Sequence, residues 1–260
     1  MRWWFGVLVS AVFVCSAAQA ESVSPEPAIA IIIDDLGDRL AEGRRVVDLP
    51  GPVACAFLPH TPHVQRLAEA AHATGKEVML HLPLQAKAGN DLGPGGLTLD
   101  MDQEAFVASV QASLAAVPHV SGVNNHMGSL LTRHPGHMTW LMEVLRAQEA
   151  ELFFIDSRTS RHSVAEQMAR EARLPTASRH VFLDHNPSPR AVEAEFERLL
   201  RIARSRGVAL AIGHPYRSTL EVLERRLPQL QEDGVRLVSV SEMIELETER
   251  DKSWQTSSSH

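Results

Sequence analysis

Short apolar, β-rich runs recur along the chain at Ala28 to Ile33, Val53 to Phe57, Glu77 to Leu80, Val120 to Val123, Leu152 to Ile155, Val181 to Leu183, Val208 to Ile212 and Arg236 to Val240. Between most of them lies a loop and then a stretch with helical periodicity. From Pro189 to Arg206, for example, Val192, Phe196, Leu199, Leu200 and Ala203 share one face, proline suits the first turn, and Gly207 follows at the C-terminal end. Strand then helix, repeated, predicts a mostly parallel sheet. Seven or eight such units favour a closed or nearly closed, distorted β/α barrel, with an open doubly wound sheet as the alternative.

The ends of the chain differ from this rhythm. Residues 1 to 20 read as a signal peptide: Arg2 gives a basic start, Trp3 to Val14 an apolar run, and Ala18-Gln19-Ala20 a small-x-small cleavage site. The run is about a dozen residues, short of the roughly 20 needed to span a bilayer; an uncleaved anchor is the alternative. Residues 21 to 27 read as a linker, 28 to 248 as the folded domain, and 249 to 260 as a polar, disordered tail. Cleavage near Ala20 implies a periplasmic or secreted protein with no stable membrane insertion. It would retain a single cysteine, Cys55, a small core residue in mid-strand, so its stability must come from its core rather than from an internal disulfide. Loss of Arg2 takes the formal net charge from −7 to −8, which argues against nucleic acid as a partner.

In β/α barrels the chemistry gathers at the C-terminal ends of the strands. Here those ends carry Asp34-Asp35, His81, Asn124-Asn125-His126, Asp156-Ser157-Arg158, Asp184-His185 and His214. An aspartate before glycine can be a turn or a helix cap, and a histidine before proline can be a packed loop residue. Convergence of Asp and His on one rim goes beyond such local roles, and two or three histidines with a carboxylate suit zinc or another borderline divalent ion. His60, His63, His134 and His137, separated by proline and glycine, read as loop residues. The serines near 160 lack the strained elbow of serine hydrolases. Gln85 to Leu99, rich in glycine, reads as a long loop of functional character.

The motifs Ile32-Ile33-Asp34-Asp35-Leu36-Gly37, His81-Leu82-Pro83-Leu84, Gly122-Val123-Asn124-Asn125-His126-Met127-Gly128-Ser129, Phe154-Ile155-Asp156-Ser157-Arg158-Thr159, Val181-Phe182-Leu183-Asp184 and Gly213-His214-Pro215 resemble those of the divergent polysaccharide deacetylases, the YibQ-like branch of the NodB-homology carbohydrate esterases. The similarity covers about residues 28 to 245. It implies a NodB-like distorted barrel and divalent-metal-dependent hydrolysis, most simply with zinc, of an acetyl group on a polysaccharide or cell-envelope glycan. It implies Asp34 as catalytic base, His214 as acid, and Asp35 and His81 as metal ligands. Ordinary members place a second histidine ligand where this chain has Gln85, and an Arg-Pro-Pro segment where it has Asn124-Asn125-His126, so His126 is expected as the third ligand. Asp156, Arg158 and Asp184 are expected around the site, with Asp156 and Arg158 orienting His214 or a ligand, and Asn125 or a backbone amide facing the oxyanion.

Gln85 favours the alternative of a non-catalytic envelope module that keeps the metal and binds a glycan or a protein partner. A phosphoester hydrolase is less well supported, because only Arg158, Arg161 and Arg217 are at hand to clamp phosphate. Trp140 and Trp254 are the tryptophans beyond the signal, and neither marks a sugar-stacking platform.

Overall fold

The computed structural model describes Met1 and residues 26 to 257. The expected signal peptide and most of the linker lie outside the described residues. Among those described, no helix is long and apolar enough to cross a membrane.

Strands β1 (Ala28–Leu36), β2 (Ala54–Phe57), β3 (Val78–Leu84), β4 (Val120–Met127), β5 (Phe153–Asp156), β6 (Thr176–Ser178), β7 (Val181–Phe182) and β8 (Val208–Gly213) form one parallel sheet in the order β6-β5-β4-β3-β2-β1-β8-β7. The two strands at the ends of that order are consecutive pieces of one segment, separated only by Arg179 and His180. The Arg179 amide donates to Asp156 O and the His180 amide to Leu210 O, so this segment leaves β5 and joins β8, and the sheet curls round to meet itself. This is the distorted barrel expected from the sequence. A short ninth strand, β9 (Arg236–Leu237), pairs with the first two residues of β1.

Helices α1 (Leu40–Val47), α2 (Val64–Ala73), α3 (Gln103–Ala116), α4 (Pro135–Arg146), α5 (Ala165–Glu171), α6 (Pro189–Arg206) and α7 (Arg217–Arg226) follow the strands. The apolar face anticipated for α6 is the buried one, and Gly207 ends the helix at φ 79°, a conformation that costs glycine little.

One correction concerns the C-terminal region. Val240 is not the end of a strand but the first residue of α8 (Val240–Ser257). This helix runs past residue 248, the expected end of the folded domain, and no glycine or proline interrupts residues 240 to 257.

Alternation along the strands divides the core in two. Ile29, Ile31, Ile33, Leu80, Leu82, Val123 and Phe154 face the helices. Ala28, Ala30, Ile32, Met79, Phe153, Ile155, Leu210 and Ile212 fill the barrel, together with Val240, Met243 and Ile244 of α8, which floor its N-terminal end. The site at the other end lies on the same inward set, two residues further along: Ile32 leads to Asp34, Met79 to His81, Ile155 to Ser157 and Ile212 to His214.

Candidate metal centre and active site

Asp34 and Asp35 are adjacent, and a regular strand would turn them to opposite faces. The β1–β2 register is broken between Ile33 and Leu36, and Asp35 sits at φ 56°. An aspartate tolerates this left-handed conformation better than most residues, and the irregularity brings both carboxylates to the centre. Neither caps α1, whose N-cap Arg39 receives no side-chain cap, so the helix-cap reading of the pair does not apply.

Asp35 and His126 meet at 2.9 Å (Oδ1 to Nδ1), and Asp35 and His81 at 3.2 Å (Oδ1 to Nε2). The two ring nitrogens are 3.1 Å apart. Asp35 Oδ1 is buried with no hydrogen-bond partner among the described residues. One carboxylate oxygen and two imidazole nitrogens thus converge on a common point, with all three ligand atoms within 4.8 Å of one another. A set of two histidines and one carboxylate fits a borderline divalent cation such as zinc, and three protein ligands leave positions open for water and substrate.

Two supports hold these groups in place. Asn124, fully buried beside His81 on β4, links them: its Oδ1 lies 2.8 Å from His81 Nδ1, and its Nδ2 donates to Asp34 Oδ1 at 2.8 Å. Asp34 Oδ2 remains 3.6 Å from His81 Nε2, on the side of the ligand cluster. On the opposite wall Asp184 Oδ1 lies 2.9 Å from His214 Nδ1, while its Oδ2 accepts from the His214 amide at 2.6 Å and from Thr219 Oγ1 at 2.8 Å. That fixes the imidazole with Nε2 directed at Asp35 Oδ2, 3.7 Å away.

Charge follows from this arrangement. Burial pushes the Asp34 carboxyl above the usual carboxylate range, against the pull of His81, His214 and Asn124. Burial acts the same way on Asp35, but the two histidines outweigh it and hold that carboxyl well below the usual range. Burial alone would lower His81, yet Asp34 and Asp35 raise it. Burial likewise opposes charge on His214, but Asp184, with the charges of Asp34 and Asp35, pushes it up to about 9.

The sequence profile of the divergent polysaccharide deacetylases matches residues 31–244. The chain belongs to that family. An uncharacterized protein of Haemophilus influenzae is 36% identical over 215 residues, which is 83% of this chain and 76% of that one. The uncharacterized protein YibQ of Escherichia coli is 32% identical over 216 residues, 83% of this chain and 67% of its own. Among solved structures, an uncharacterized protein of Agrobacterium tumefaciens superposes with a TM-score of 0.79 at 22% identity, covering 85% of this chain and 90% of its own. The catalytic domain of a peptidoglycan N-acetylglucosamine deacetylase from Eubacterium rectale gives 0.51 at 16% identity, covering 86% and 94%. At such identities these likenesses speak for the fold, a NodB-like deacetylase barrel.

In this member of the family the expected cluster of Asp34, Asp35, His81, His126 and His214 comes together, and Asp184 stands behind His214. Other expectations are corrected. Asn125 does not face an oxyanion: it is buried on the outward parity of β4, its Nδ2 donating to Met127 O and its Oδ1 accepting from the Ser157 amide. Asp156 does not orient His214 or a ligand, because it ends β5 on the outward parity and its Oδ1 caps the Arg158 amide at 2.8 Å; Arg158 itself is exposed. Gln85 Oε1 accepts from the Leu99 amide at 2.8 Å, and its carbonyl accepts from the Leu130 and Leu131 amides. It is thus a knot between two loops. Asn124 is the residue to which no role was given, although its inward parity, midway between Gly122 and His126, was readable.

Proposed function

We propose that this protein is an exported, divalent-metal-dependent deacetylase of an acetylated polysaccharide or envelope glycan. The observation that carries the reading is the convergence of Asp35, His81 and His126 between Asp34 on one side and His214 on the other. Asp35 Oδ1, His81 Nε2 and His126 Nδ1 are the atoms that would hold the ion, zinc being the best match to this donor set. When bound, a divalent ion polarises an acetyl carbonyl and lowers the pKa of water from 15.7 toward about 7.

The chain's own groups account for the proton movements. Asp34, with one oxygen tied to Asn124, has Oδ2 left to accept the proton of the water that attacks the acetyl carbon. His214, protonated at neutral pH and held through Nδ1 by Asp184, has Nε2 to donate to the departing nitrogen or oxygen of the sugar. The C–N or C–O bond breaks, and acetate and the free amine or hydroxyl leave. Acid and base assistance of this type contributes about 10² to 10⁴ in rate.

Acetate release from chitooligosaccharide, peptidoglycan or an acetylated exopolysaccharide, with zinc, cobalt or nickel supplied, is the test. Chelation should abolish release and added metal restore it, and Asp34→Asn should lose most of the turnover. Absence of release from all of these substrates overturns the enzymatic reading. It would favour a metal-holding module that binds glycan or an envelope protein, the reading that Gln85 supports by standing where ordinary members carry a ligand; there Asp34→Asn should leave biological activity intact.

A further inference from the structure

Tyr216, the only tyrosine in the chain, stands out for exposing 46% of its surface; apart from Met1 it is the only exposed large hydrophobic residue among those described. Its ring lies against the His214 imidazole, centroids 5.4 Å apart and planes inclined by 29°. On another side Phe182 meets the same imidazole edge-on at 5.2 Å, and the Arg179 guanidinium lies 4.9 Å over the Phe182 ring. The stack runs from the barrel seam to the rim and ends in an aromatic face open to solvent. Pro215 restricts the backbone just before Tyr216, and α7 begins just after it, so the ring is carried on a stiff corner.

We infer that Tyr216 is the platform on which the sugar ring bearing the acetyl group stacks, and so a residue that selects sugar-borne acetyl groups over others. The inference rests on the deacetylase reading above, and the route to it is geometric. The atom that takes a proton from His214 Nε2 is the nitrogen or oxygen bonded directly to a ring carbon of the sugar. That ring therefore lies within a bond or two of the imidazole, beside the exposed Tyr216 face. A pyranose presents a C–H face that matches an aromatic surface, and tyrosine offers such a surface rigidly, with only two side-chain torsions to fix. An acetyl group on a flexible acyclic carrier gains nothing from this wall.

The test compares Tyr216→Ala and Tyr216→Phe in the metal-loaded full chain. It uses an acetylated chitooligosaccharide and a small acetyl ester that contains no sugar. Tyr216→Ala should raise KM for the oligosaccharide about threefold to tenfold with kcat held, the size of a lost aromatic contact. Turnover of the sugar-free ester should be unchanged, and Tyr216→Phe should behave as wild type. A matched loss on both substrates would mean that Tyr216 acts only by holding His214, and no change on either would mean that sugar does not touch it; each overturns the inference. Ligand-detected NMR of the same oligosaccharide separates this result from the fate of the enzymatic reading. Binding by wild type that weakens in Tyr216→Ala supports the platform even without acetate release. Absence of binding by wild type overturns it.

Discussion

Asn124 has no charge, yet it ties Asp34, the proposed base, to His81, a proposed ligand. Its amide donates to Asp34 and its carbonyl oxygen faces His81 Nδ1, so Nε2, the atom proposed to hold the metal, is fixed from behind, as ligand imidazoles require. Asn124→Ala leaves two buried polar groups without their partner. It should weaken metal affinity about 10-fold to 100-fold, read by competition with a chelator, and cost about 1–3 kcal/mol in urea unfolding. Asp184 does the corresponding work for His214. Because it is the strongest influence raising that imidazole toward about 9, an acid that must be protonated loses activity as pH rises through its pKa. Asp184→Asn should therefore move the alkaline limb of the pH–rate profile to lower pH and reduce kcat by about 10² or more; an unmoved limb would mean that another group supplies the proton.

At the scale of elements, the strand-to-site logic was legible in the sequence because it depends only on alternation. Apolar residues at 32, 79 and 212 forecast inward-facing polar residues at 34, 81 and 214. Strand lengths were less legible. Polar residues such as His81 and Asn124 look like strand ends, but they continue as paired β-structure because the partner strand continues beside them. The three-residue strand β6 lacked a visible apolar run, and the break that turns both Asp34 and Asp35 inward has no marker beyond aspartate's tolerance of positive φ. Gln85 shows how a position can keep its importance while changing its use, since it fastens the loop from 85 to 99 to β3 and to the turn after β4. Gln85→Ala removes the acceptor of the Leu99 amide. Trypsin cleavage after the exposed Lys87 should then become faster under native conditions, while the melting transition shifts little. An unchanged cleavage rate would indicate that the loop is held by its remaining bonds, Leu97 N–H to Pro83 O, Gln85 N–H to Leu97 O and Lys87 N–H to Ser129 Oγ.

For the molecule as a whole, α8 presents the sharpest difference between sequence and structure. The sequence reads Val240 as a strand end and only residues 249 to 260 as tail, whereas one helix spans 240 to 257 and its Val240, Met243 and Ile244 complete the inner core from below. Its start is fixed by Glu77, whose carboxylate accepts from the Val240 and Ser241 amides, an anionic group at a helix N-terminus. The barrel is therefore closed at one end by helix, while the polar cluster of Asp34, Asp35, His81 and His214 lies at the other, above the apolar layer. Met243→Ala should cost about 2–5 kcal/mol, the usual range for truncating a fully buried side chain, without altering metal affinity in the fraction that remains folded. Ending the chain at Ser239 is more drastic, since it uncovers Ile32, Leu210 and Ile212 from the N-terminal side. Such a chain should lose its cooperative thermal transition and bind a hydrophobic dye. If it instead melts cooperatively near the wild-type temperature, α8 is an accessory helix, and the strand pairings and outer helices suffice to hold the barrel core.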